Sequence, residues 1–239
     1  FLPLALLAFH GTRHIFNGKI AVNILIIFSL IYYSWWEIEF LFLLLLSVSL
    51  NYLFLRLILL NSSKLILAVG LLFNLGLLAY FKYRNFLIEN IELLFIGSSH
   101  SFEKFSAIII PLGISFYTFQ QIAMLIDARD GTIKTLPPFL NFVQFVTFFP
   151  QLIAGPIVLF KEVREQIEAL QKNQFDGLNV FGPGLAIFSF GLFKKVCLAD
   201  TIAPFADLAF NSHRIISTLE AWAGSVAYSL QLYFDFSGY

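Results

Sequence analysis

The sequence predicts an all-α membrane fold: a polytopic transmembrane helical bundle with broken or re-entrant helices around a polar tunnel. Three observations lead there. Of 239 residues, 59% are hydrophobic and 13% are charged, whereas a soluble domain carries about a quarter charged residues. Apolar runs close to the ~20 residues that cross a bilayer recur along the chain. Several runs are broken by Pro and Gly and carry amides at helical spacing, which lipid cannot satisfy.

Taken in order, Phe1–Phe9 is apolar but lacks a basic start and a small-residue cleavage site, so it reads as the remnant of a span rather than a signal peptide. The spans expected next are Ile20–Trp36, Phe40–Leu60, Lys64–Phe81, Phe105–Ile126, Phe139–Phe160, Leu178–Leu198 and Ile216–Phe236. Tyr32, Tyr33, Trp35 and Trp36 end the first of these as an interfacial aromatic belt. Basic residues put the 11–19 and 61–64 loops in the cytoplasm, with Lys82 and Arg84 in conflict. Lys161–Asp176 reads as a surface amphipathic helix with Val163, Ile167 and Leu170 on one face and Glu168 paired with Lys172. Asn85–Ile96 is a weaker helix of that kind. The only methionine is Met124, and an apolar pattern runs up to Tyr239. The expectation is one domain over 1–239, cut from a longer protein.

Three spans carry a polar face. Asn141, Gln144, Thr147 and Gln151 are spaced three, three and four, so one helix would align them. Pro150 and Pro156 would each free a carbonyl in a continuing helix, and Gly155 permits a close neighbour. Ser106, Gly113, Gln120 and Asp127 recur every seven residues, with Tyr117 beside them. Ser225, Tyr228, Gln231 and Asp235 repeat the first spacing. Such faces turn inward, either as hydrogen-bonding glue between helices or as the lining of a cavity.

Other chemistry is excluded or weak. Net charge is zero and no basic run is present, which argues against nucleic acid. The lone Cys197 permits no intramolecular disulfide and reads as a small buried thiol. His10 and His14 have metal-ligand spacing but no third ligand nearby, so no metal site is expected and both read as loop residues. His100 and His213 also read as loop residues. No P-loop, dinucleotide fingerprint or HExxH motif occurs.

The segments "PLGISFYTFQQIAMLID" (111–127), "FVTFFPQLIAGPI" (145–157) and "YSLQLYFDFSGY" (228–239) stand in an order that resembles the membrane-bound O-acyltransferases. The "FFPQLIAGPI" wording is similar to the bacterial branch that includes the alginate O-acetylation protein. The resemblance implies a multi-pass enzyme of the bacterial inner membrane. It implies acetyl transfer from a cytoplasmic thioester, acetyl-CoA or similar, to hydroxyls of an exported polysaccharide, with a periplasmic acetyltransferase as partner and no bound cofactor. It also implies a catalytic histidine beyond Tyr239, so the chain alone is expected to be inactive. Gln120, Asn141, Gln144, Gln151, Gly155, Pro156, Tyr228 and Asp235 are the tunnel-lining candidates. A transporter of a lipid-linked or small polar substrate is the alternative.

Overall fold

The computed structural model describes residues 1–35, 37–95, 109–152, 155, 158–172, 177–211 and 216–238, the side chains of 89, 91–95 and 177–179 excepted. Among these residues all regular structure is helical. The chain divides into two compact units, Phe1–Phe175 and Asp176–Tyr239.

The first unit opens with α1 (Leu2–Ile15) and α2 (Gly18–Ser34). The His10/His14 region belongs to the end of α1 rather than to a loop, and no cluster of metal ligands occurs among the described residues. The Asn17 side chain caps α2 by accepting from the Ile20 N–H at 2.9 Å.

Next come α3 (Ile38–Asn61) and α4 (Lys64–Phe95), the helices long and apolar enough to cross a membrane among those described; α2 is a shorter apolar helix. The turn between them puts Ser62 in the left-handed region at φ 47°, its N–H donating to the Ile58 carbonyl. The separate surface helix expected over Asn85–Ile96 is corrected. Nothing in that stretch breaks a helix, and α4 runs through Lys82 and Arg84 without interruption. At 32 residues α4 is about 48 Å long, more than the ~30 Å hydrocarbon core. Lys82 and Arg84 can therefore lie past the apolar zone, with Arg84 over the Tyr80 ring at 5.8 Å.

Asn51 and Asn74, both fully buried, join α3 to α4 by two reciprocal amide hydrogen bonds of 3.1 and 2.6 Å. Each asparagine is ten residues from the connecting turn, about 15 Å along its helix. That distance is half the thickness of an apolar layer of about 30 Å.

α5 (Ile114–Arg129) starts later than expected, because Gly113 at φ 68° turns the chain into the helix. Ser106 lies outside the described residues. α5 packs on α3 and α4. α6 (Phe139–Thr147) stops after nine residues, and α7 (Phe149–Leu152) follows. The single helix expected to align Asn141 through Gln151 is thus corrected: Phe148, at ψ 107°, separates two pieces. Pro150 falls in the first turn of α7, where its missing N–H costs nothing. At about 14 Å, α6 spans only half an apolar layer, which makes it a broken helix of the kind predicted.

α8 (Phe160–Gln171) is the amphipathic helix, and it packs on α2 and α6. Ile167 is buried and Val163 packs against the core. Its apolar stripe is therefore covered by protein, which corrects the bilayer-surface expectation. Glu168 pairs with Arg164 at 2.8 Å, not chiefly with Lys172. Gly18 lets α2 and α8 meet, since a Cβ there would overlap the Leu170 carbonyl.

The second unit runs through α9 (Gly177–Phe193), a π-helical stretch (Lys194–Ala199) and α10 (Asp200–Phe210), then α11 (Thr218–Gly238). Small residues close it: a Cβ on Gly191 would overlap the Gly238 carbonyl, and one on Gly224 the Ala209 methyl. The expected buried thiol is corrected, since Cys197 is exposed on the π-helical stretch. Among the described residues of this unit the buried side chains are the small ones of Ala199 and Ala206.

Candidate functional site

The break between α6 and α7 is held by α2. The Phe149 N–H donates to Ser29 Oγ at 3.2 Å, and the Ser29 hydroxyl donates to the Leu25 carbonyl at 2.8 Å. Thr147, on the last turn of α6, donates to the Val143 carbonyl at 2.8 Å. The Phe149 N–H, at a helix start that a bilayer could not satisfy, is thus met inside the protein.

Around this break lies a cavity of about 110 Å³. α2 supplies Val22 and Leu25, and α6 supplies Gln144 and Phe145. Phe148 and Gln151 come from the break and α7, and Val163, Gln166, Ile167 and Leu170 from α8. The broken helix therefore achieves what a continuous one was expected to do: it turns Gln144 and Gln151 toward one space. Gln144 is 6% exposed, and its Oε1 finds no hydrogen-bond partner among the described residues. A buried acceptor left unmade costs about 1–3 kcal/mol, so a partner from outside the described residues is expected for it.

Asn141 does not line this cavity. Its Oδ1 accepts from Gln171 Nε2 at 2.7 Å, clamping the start of α6 to the end of α8. Gly155 is buried, its N–H donates to the Gln151 carbonyl at 3.0 Å, and a Cβ there would overlap Gln151. Gly155 thereby sets the position of Gln151. Pro156 lies outside the described residues, as do His100 and His213. Gln120 is buried on α5 but not on this cavity.

Tyr228 and Asp235 belong to the second unit. The Tyr228 ring meets Phe210 at 5.2 Å. Asp235 pairs with Lys195 at 2.9 Å, and Lys195 also reaches Asp200 at 2.8 Å. The π-helical turn positions that lysine between two carboxylates, a local widening often found at functional sites.

A second polar zone escaped the sequence reading. Ser47 donates to Gln121 Oε1 at 3.1 Å, and the Asn51 amide reaches both the Ser47 carbonyl and Asn74. Tyr117, one turn before Gln121, faces Tyr33, and both are buried. Neither hydroxyl meets hydrogen-bond geometry, nor do Thr118 Oγ1 and Gln121 Nε2, among the described residues. Ser47 and Asn51 lie one turn apart on α3, Tyr117, Thr118 and Gln121 within one turn on α5, Tyr33 on α2 and Asn74 on α4. Only the packing of α2, α3, α4 and α5 makes them one zone.

Fold and site define an all-helical protein whose apolar helices enclose polar side chains at and beside a helix break. Residues 30–239 match the membrane-bound O-acyltransferase family, and the chain belongs to that family. Across its full length it is 38% identical to a peptidoglycan O-acetyltransferase of Helicobacter pylori, covering 50% of that protein. It is 34% identical, again over its full length, to the probable alginate O-acetylase AlgI of Pseudomonas aeruginosa, covering 46% of it. Over 54% of the chain it is 30% identical to a teichoic acid D-alanyltransferase of Bacillus subtilis, covering 32% of that protein. The chain spans about half the length of the first two relatives.

Proposed function

We propose that these residues are part of a multi-pass O-acyltransferase of the bacterial inner membrane. The enzyme moves acetyl from a cytoplasmic thioester such as acetyl-CoA to hydroxyls of an exported polysaccharide, in concert with a periplasmic acetyltransferase. Family membership and the names of the relatives support this reading. The observation that carries it at the residue level is the convergence of Gln144 and Gln151 on one cavity at a helix break.

In such a transfer the acceptor oxygen forms a bond to the thioester carbonyl carbon. The C–S bond breaks, and the hydroxyl proton ends on the departing thiol. A general base and donors to the developing oxyanion lower the barrier. The cavity's amides are neutral near pH 7, so they bind and orient rather than take the proton. The base is expected in the histidine that the family resemblance implies beyond Tyr239.

The test is acetyl transfer by the full-length protein carrying these residues, reconstituted in vesicles with acetyl-CoA and candidate polysaccharide acceptors. Gln144→Ala and Gln151→Ala should each lower turnover while the protein stays folded. Wild-type turnover in both folded variants would leave the amides as helix glue and sink this reading of the cavity.

A further inference from the structure

The start of α7 leaves one backbone donor that its own helix does not meet. Pro150 has no N–H, and the Gln151 and Leu152 N–H groups both donate to the Phe148 carbonyl at 2.9 Å. The Phe149 N–H remains, and Ser29 of α2 receives it at 3.2 Å. Given the acyl-transfer reading, on which this rests, we infer that Ser29 is a positioning residue for the reaction. Its hydroxyl caps α7 from a neighbouring helix and so sets where Gln151 meets the cavity.

Three observations carry the assignment. A serine inside a helix commonly donates to the carbonyl four residues back, and Ser49 and Ser189 do so from exposed positions. Ser29 makes that bond to Leu25 at 2.8 Å, but it is fully buried and also accepts from a second helix. With its proton committed to Leu25, the oxygen is kept as an acceptor for Phe149. Second, the hydroxyl joins two walls of one space: Leu25 lines the cavity from α2, and Gln151 lines it from α7. Third, the Phe149 ring also meets Tyr32 of α2 at 5.4 Å. Ring contacts tolerate sliding, whereas a hydrogen bond weakens steeply as its angle closes. α2 thus grips Phe149 twice, and Ser29 supplies the direction.

The experiment uses the full-length protein in vesicles, with acetyl-CoA as donor and alginate or peptidoglycan as acceptor. Ser29→Ala should lower kcat about fivefold per folded molecule, the weight of one hydrogen bond. Ser29→Cys, similar in size but a weak acceptor, should do the same and serves if Ser29→Ala fails to fold. A residue acting through Gln151 couples to it, so Ser29→Ala should add less than about a twofold loss on a Gln151→Ala background. A merely structural serine would instead lower the folded yield and leave kcat alone. Hydrogen exchange at the Phe149 amide reads the cap without turnover and should quicken about fivefold in either Ser29 variant. Wild-type kcat in a folded Ser29 variant, an undiminished loss on the Gln151→Ala background, or unchanged Phe149 exchange would overturn the inference. Failure of the acyl-transfer reading looks different: no transfer by the wild type, or wild-type turnover in Gln151→Ala, with the exchange difference intact.

Discussion

Asn51 and Asn74 form a reciprocal amide pair, each donating to the other, at the centre of the α3–α4 hairpin. Each Nδ2 also donates to its own helix, to the Ser47 and Gly70 carbonyls at 3.0 and 2.8 Å. The pair fixes the register of two helices that also meet through apolar contacts such as Phe54 on Phe73. Replacing one partner leaves a buried amide without its mate, while replacing both removes the need. Asn51→Leu or Asn74→Leu should each cost about 1–2 kcal/mol. The double variant should be less destabilised than the sum of the two. Thermal unfolding of the four proteins as a double-mutant cycle checks this.

Gly18 and Gly11 are opposite cases. A methyl at Gly18 collides with the Leu170 carbonyl, whereas one at Gly11 meets nothing within 4 Å. Gly18→Ala should destabilise by about 1–3 kcal/mol and loosen α8 over the cavity. Gly11→Ala, inside α1, should stabilise by up to about 1 kcal/mol. Melting temperatures of the two variants in one detergent give both signs.

Ser62 holds a left-handed conformation that suits glycine. Ser62→Gly should raise stability by up to about 1 kcal/mol, the relief of the left-handed conformation outweighing the added freedom of the unfolded chain. A lower melting temperature than wild type would show that the serine side chain stabilises the turn by other means.

The Arg164 guanidinium hydrogen-bonds Glu168 and holds its carboxyl below the ordinary carboxylate value. Because the folded-state pKa is depressed, the contribution is complete above the unfolded value and disappears as pH falls through the folded one. Both side chains are about two-fifths exposed, so solvent limits the pair to about 0.3–0.5 kcal/mol. Glu168→Gln should therefore shift stability only slightly at neutral pH, and the difference from wild type should vanish in acid. Melting curves across that pH range in low salt test it.

The helical class was legible from the long apolar runs, two of which became helices long and apolar enough to cross a membrane. The bounds of α2 and α3 followed from apolar length. The break at Phe148 was visible only as a proline two residues later, since a proline prefers the start of a helix and the stop is set by Ser29 on α2. Gln144 and Gln151 both line the cavity although the continuous helix that their spacing assumed is broken between them at Phe148. Asn51, Asn74, Ser47 and Gln121 were not legible as a group, because they come from three helices, α3, α4 and α5, and tertiary packing brings those helices together. Asn141 looked like one more lining residue, yet its partner Gln171 lies thirty positions away.

The central claim is that the amides at the broken helix belong to the acyl-transfer route. Its most direct test is acetyl transfer by the reconstituted full-length protein and by a Gln144→Ala/Gln151→Ala double variant of matched melting temperature. The account predicts transfer by the wild type and a loss of at least about tenfold in the variant, the effect of about 1.4 kcal/mol of lost substrate positioning. Wild-type rates in the folded double variant would contradict it.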